Sequence, residues 1–380
     1  MKKNYTFVVL IIFSLAFVIF SCSTSEDDDY TPIAPVSGVS VDLTQVPYQK
    51  LSDYKFFTGE LKNLEPAEGL LPFEPASTLF TDYAHKKRFV WMPNGTKATY
   101  NGDNKVLELP VGAVLIKNFY YENVLNTQPA GSTRILETRL MIRKADGWLF
   151  ANYIWNEAQT EAFYNMDGVN VNISWQEESG EIKGTEYRIP TDAQCMVCHK
   201  SAKLVNNVLE TTYIPIGIKP QNLNWEYNYG STVKNQLSMW IEKGYLESNF
   251  SLPSAENSTV NYNDASKSLS ERARSYVDIN CAHCHSIERH CTYRPMRFAY
   301  SETKNNNTAM GMCVNTADMQ GFPDNLSKII TPRNINKSML YYRLNTTDEA
   351  VRMPLHGRTM LHTEGLQLMK NWINSVEECD

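Results

Sequence analysis

The sequence has little histidine (7 residues), little cysteine (8), and no block rich in lysine and arginine. Its formal net charge is −6, so a phosphate backbone would meet no cationic stripe, which argues against nucleic acid as a partner. No βαβ alternation surrounds its CxxC pairs, which removes the context in which such a pair reads as a thioredoxin-like redox centre. Long apolar runs are absent with one exception, residues 7–20, preceded by Lys2 and Lys3. That run is too short and too near the terminus for a comfortable membrane span and reads as an export signal.

The exported reading has a consequence at the end of the run. Ile19-Phe20-Ser21-Cys22 resembles the lipobox of bacterial lipoproteins, which implies cleavage before Cys22 and lipidation of its thiol and new amino group. Several acyl chains, at roughly 0.8 kcal/mol per buried methylene, make a stable anchor. The simpler alternative is an ordinary signal peptide with an incidental cysteine. Residues 1–22 are thus read as leader and lipobox. Residues 23–46 are read as a flexible linker that opens with the acidic run STSEDDD, a feature that also resembles surface-export signals of some Gram-negative lipoproteins.

Scarce as they are, four cysteines and two histidines fall into one repeated pattern. Cys195-Met196-Val197-Cys198-His199 and Cys281-Ala282-His283-Cys284-His285 are both CxxCH, where chance predicts roughly 0.003 such pentamers in this length. Covalent attachment of haem c requires this arrangement: two thiols that each add to a porphyrin vinyl group, and an adjacent imidazole for the iron. Two CxxC pairs could instead share a tetrahedral zinc, but zinc does not need a histidine after each pair. Of the remaining cysteines, Cys291 and Cys313 are a plausible disulfide in an oxidising compartment, and Cys379 has no evident mate.

From residue 47 to 190 the chain is strand-like. Apolar runs at 96–100, 105–109, 113–121, 135–143 and 148–155 are separated by turn signals such as Asn94-Gly95 and Asp146-Gly147. Asp146-Gly147 predicts a hairpin. Pro190 forbids a long helix before the first motif, so that site is expected at the edge of the sheet domain. Residues 191–261 then form the first haem segment, with a helix over 231–245 whose Val233, Leu237, Trp240 and Ile241 share a face. Met239, beside that face, is a possible ligand to the first iron, although such a methionine is more often core.

Residues 262–380 read as an all-helical unit. Ser268-x-x-Glu271 is a capping box that starts a helix over 268–281 with Leu269, Ala273, Tyr276 and Val277 as its buried stripe. Thr363 is the expected cap of a terminal helix carrying Leu366, Met369, Trp372, Ile373 and Val376 on one side, with a short helix over 337–344 between them. The loop Val351-Arg-Met-Pro-Leu-His-Gly-Arg358 offers Met353, followed by proline, as a thioether ligand for the second iron, which would raise its potential. His356 and His362 are the competitors. His283, His290 and His85 read as polar surface residues or supports of the sites.

Several phrases extend this to the whole architecture. LFTDYAHKKRFVWMPNGTKATY (79–100), LPVGAVLIKNFYY (109–121), ETRLMIR (137–143), YIWNEAQTEA (153–162), IPIGIKPQNLNW (214–225) and RARSYVDINCAHCH (272–285) resemble a family of bacterial dihaem c-type cytochromes. The resemblance implies export, two covalent haems, electron transfer, and His199 and His285 as proximal ligands. The front half is also similar to β-sheet cytochromes with a lysine-cross-linked haem, in which Lys117 would occupy the lysine's role.

The fold expected is therefore α+β and multidomain: an antiparallel sheet domain, a haem-binding segment, and a cytochrome c-like helical domain. The function expected is single-electron transfer by a lipid-anchored dihaem cytochrome in the bacterial cell envelope. It would face the periplasm or the cell surface, with another envelope redox protein as its partner. Two other readings stay open. One is an enzyme whose first haem lacks a sixth ligand and acts on peroxide or a small nitrogen compound. The other is a surface binding protein that docks a partner through its sheet.

Overall fold

Apolar runs separated by turns in the front half produce a large antiparallel sheet whose central strands are buried on both faces, and that sheet carries the first cysteine–histidine motif on its edge. The computed structural model describes residues 38–377, so the leader, the lipobox with Cys22, and Cys379 lie outside the described residues. The strands are β1 (Leu71–Pro72), β2 (His85–Trp91), β3 (Val114–Val124), β4 (Ser132–Lys144), β5 (Gly147–Trp155), β6 (Ala162–Tyr164), β7 (Val169–Gln176) and β8 (Ile182–Ile189). They form an eight-stranded sheet in the order β8-β7-β3-β4-β5-β6, with β2 pairing both β1 and β3. Residues 38–46, expected in the linker, pack against it instead: Val39, Val41 and Leu43 lie on its core and Val46 is buried.

The β4–β5 hairpin turns through Ala145-Asp146, with Lys144 paired to Gly147, as the Asp-Gly signal predicts. The runs at 96–100 and 105–109 do not become strands. They meet only in an isolated bridge, Thr99 to Glu108, while Ala98 bridges to Leu246. Their apolar residues Ala98, Leu107 and Leu109 are buried as loop anchors in the cluster that covers one sheet face. Burial without ladder partners explains the misreading: the hydrophobic signal was correct and its geometry was not.

After β8 the chain enters helix α1 (Asp192–His199), then a hairpin of β9 (Lys200–Val205) and β10 (Val208–Tyr213), and later helix α2 (Gln236–Glu242). Helix α2 is shorter than the expected 231–245. Val233 lies in a small strand pair and is exposed, whereas Leu237 and Trp240 are fully buried against the sheet. The last third contains α3 (Leu269–Cys281), α4 (Met339–Leu344) and α5 (Thr363–Ser375), which surround one cluster including Ala273, Val277, Ile330, Leu340, Met369 and Trp372. The capping box of α3 forms as expected, Ser268 Oγ accepting from the Glu271 amide. Helix α5 is capped by position rather than by a side chain: His362 is the N-cap residue, and the Thr363 hydroxyl contacts Tyr83 Oη at 2.9 Å. Sequence reasoning placed the cap on Thr363 because a tertiary partner for that hydroxyl is invisible in local pattern.

Candidate functional site

The first motif is placed by a strand end and a cap. Pro190 closes β8, the Thr191 amide donates to Gln194 Oε1 at 3.1 Å, and Thr191 Oγ1 accepts from the Gln194 amide at 3.4 Å. This capping box starts α1, whose helical spacing puts Cys195, Cys198 and His199 on one face. His199 Nδ1 lies 2.8 Å from the Ile214 carbonyl, which can only accept, so Nδ1 carries the proton and Nε2 keeps its lone pair. Burial lowers the pKa of this imidazole to about 4, which keeps it neutral and ligand-competent at ordinary pH.

The second motif continues the end of α3. Cys281 is the last helical residue, and its carbonyl accepts from the amides of Cys284 and His285 at 3.1 and 2.9 Å. His285 is buried, with its ring edge-on to Phe298, and its Nδ1 has no partner. Burial again lowers the pKa to about 4.

Each motif opens into its own cavity. The second encloses about 800 Å³ of empty space, part of it open to solvent, lined by Cys281, Cys284, His285 and Met353 among mostly apolar side chains. The first encloses about 1250 Å³ against the sheet, lined by Cys195, Cys198 and His199. Cys198, Asn280, His283, Pro354 and His356 line both. At this shared wall, ligand atoms of Cys198, His283 and Cys284 lie within 4.8 Å of one another. Burial raises Cys195 to about 11 and Cys281 to about 12, so both are thiols. Cys198 moves the other way, held low by the Cys284 thiol and His283, while Cys284 is correspondingly raised.

The Met353 loop is fixed from two sides. Arg358, buried, donates through Nη2 to the carbonyls of Thr346 and Met353 at 2.9 and 2.8 Å. Asp82 accepts from the Thr359 and Met360 amides at 2.7 and 2.8 Å.

Three expectations change here. Met239 is 5% exposed, packed with Leu237 and Trp240 in the sheet-face cluster, and is not among the residues lining the first cavity. Met166, His283 and His356 are. Cys291 is a free thiol, so it does not pair with Cys313, which is disulfide-bonded. His362 lines neither cavity: its ring stacks on Phe80 at 4.2 Å, with Nδ1 3.1 Å from Tyr276 Oη.

Sequence reasoning named Lys117 only through the likeness to lysine-cross-linked cytochromes and missed the group it belongs to. Arg88, Lys117, Arg139 and Asn152 are paired in register across β2, β3, β4 and β5, and all four line the first cavity. The available signal was a basic residue inside each of three strands, and it becomes a row only when the register is known. Comparison with known proteins finds no matching family model, no matching curated protein and no matching solved structure.

Proposed function

We propose that the protein is a dihaem c-type cytochrome that passes single electrons in the bacterial cell envelope, with a cytochrome c-like carboxy-terminal third. The observation that carries this is that both CxxCH motifs present two thiols and an imidazole to the wall of a single cavity each. The residues fit the group. The imidazoles are neutral, and His199 Nε2 is left free by its tautomer. A bound haem would supply the one-electron ferric–ferrous couple that no side chain here provides.

In this reading Cys195 and Cys198 hold one porphyrin and Cys281 and Cys284 the other. Each thiol adds across a vinyl group, its hydrogen passing to the vinyl carbon, with no net oxidation. His199 and His285 ligate the irons, and Met353 supplies a thioether in the second cavity. The wall shared by the two cavities supports electron passage between them. Lipidation at Cys22 would tether the protein to a membrane, where a redox partner protein of the envelope would meet it.

Intact-mass analysis after maturation in a host with haem-ligation machinery tests this. Two covalent haems are expected, reduced to one by joint Cys195→Ala and Cys198→Ala substitution. An apoprotein holding zinc at Cys198, His283 and Cys284 would overturn it.

A further inference from the structure

The polar row across the sheet is costly as it stands. Its neighbour on the same face is wholly apolar: Val90, Leu115, Met141 and Phe150 in register. Arg88, Lys117 and Arg139 then place three basic side chains directly opposite one another, where like charges destabilise a sheet unless anions compensate. Two are compensated within the chain. Arg88 meets Glu74 at 3.2 Å, and Arg139 grips Glu137 through two hydrogen bonds, with Tyr187 donating to the same carboxylate at 2.7 Å.

Lys117 is left over. Among the described residues it has no ion pair, and its ammonium sits over the Phe119 ring at 4.8 Å. Burial first, and then Arg88, Arg139 and Lys86, hold its pKa well below the ordinary lysine value, against the pull of the Glu137 carboxylate. Next along the row, Asn152 is 2% exposed and neither its Nδ2 nor its Oδ1 has a hydrogen-bond partner. A buried amide left unsatisfied is destabilising. A lysine without a counter-charge and an unpartnered amide therefore flank Arg139 in one row on one cavity wall, and an anion with oxygen acceptors would hold the lysine protonated and accept from the amide Nδ2.

We propose that Lys117 and Asn152, with Arg139 between them, form an oxyanion site in the first cavity. Two sources share this chemistry. One is a propionate of a haem held at Cys195 and Cys198, which rests on the cytochrome reading. The other is a small free oxyanion, which would make the first cavity a substrate site and stands without it.

The test uses the matured protein and the variants Lys117→Met, Lys117→Arg and Asn152→Leu, with haem content read separately by mass. Nitrite and nitrate are titrated by calorimetry. A free-oxyanion site gives saturable binding that weakens roughly tenfold or more in Lys117→Met and in Asn152→Leu, with Lys117→Arg restoring most of it. A propionate site gives no binding of added anion. Instead, Lys117→Met lowers the potential of one haem and makes it vary with pH as the carboxyl loses its cation, while Lys117→Arg does neither. The proposal is overturned if added anions do not bind and Lys117→Met leaves both potentials and their pH dependence unchanged. If no haem is attached, the cytochrome reading fails and the anion titration alone decides the site.

Discussion

His362 shows how a single buried side chain ties the two halves of the chain to pH. It stacks on Phe80 from the loop before β2, with its Nδ1 3.1 Å from Tyr276 Oη on α3. Burial lowers its pKa from 6.5 to about 4, against the weaker pull of Glu364 in the other direction. Between those values the unfolded chain takes up a proton that the folded chain refuses. The stability it contributes is therefore complete above about pH 6.5 and lost progressively as pH falls towards about 4. At roughly 1.4 kcal/mol per pH unit of that window, the loss is about 3 kcal/mol. Urea unfolding at pH 7 and pH 4.5 should show His362→Gln with a clearly smaller drop than the wild type. Equal drops would mean that His362 titrates normally when folded. The sequence offered this histidine only as a rival ligand, because nothing local announces a stacking partner nearly three hundred residues away.

Elements were legible where their signals were local. The β4–β5 hairpin and the capping box of α3 follow from turn and cap chemistry that needs no distant partner. The loop at 96–109, the short α2 and the cap of α5 were misread because each is decided by what packs against it. The candidate site divides the same way: both CxxCH motifs stand in the chain as pentamers, whereas the row through Lys117 exists only once four strands are in register. The Met353 loop lies between these cases, with its candidate ligand readable and its fixation by Arg358 and Asp82 not. Met353→Ala should abolish the near-infrared sulfur-to-iron charge-transfer band of the oxidised protein and lower the potential of one haem, since a thioether favours ferrous iron. Met239→Ala should leave both spectra unchanged while costing about 2–5 kcal/mol of stability as a core cavity. A spectral change in Met239→Ala, or none in Met353→Ala, would reverse the assignment.

At the scale of the whole molecule, one buried carboxylate ties together three separate stretches of the chain, through side chains and backbone. Asp278 sits one turn before Cys281 on α3 and is 3% exposed. Its Oδ1 accepts from Lys219 Nζ at 2.7 Å and from the Tyr300 amide at 2.9 Å, and its Oδ2 from Asn222 Nδ2 at 3.0 Å. Lys219 directly follows Ile218, which with Ile216 lines the first cavity, so Asp278 fixes the segment behind that cavity to the helix that delivers the second motif. Removing one partner of a buried ion pair strands the other charge, at a cost of about 3–5 kcal/mol, whereas replacing both can be nearly neutral. Asp278→Ala should therefore destabilise strongly, and adding Lys219→Met should recover a large part of the loss. The cycle separates the pair from mere loss of packing, because two independent packing defects would add. Haem incorporation at both motifs should fall in Asp278→Ala and return in the double variant. If only the second site loses occupancy, the carboxylate serves α3 alone, and the first cavity is held by the sheet.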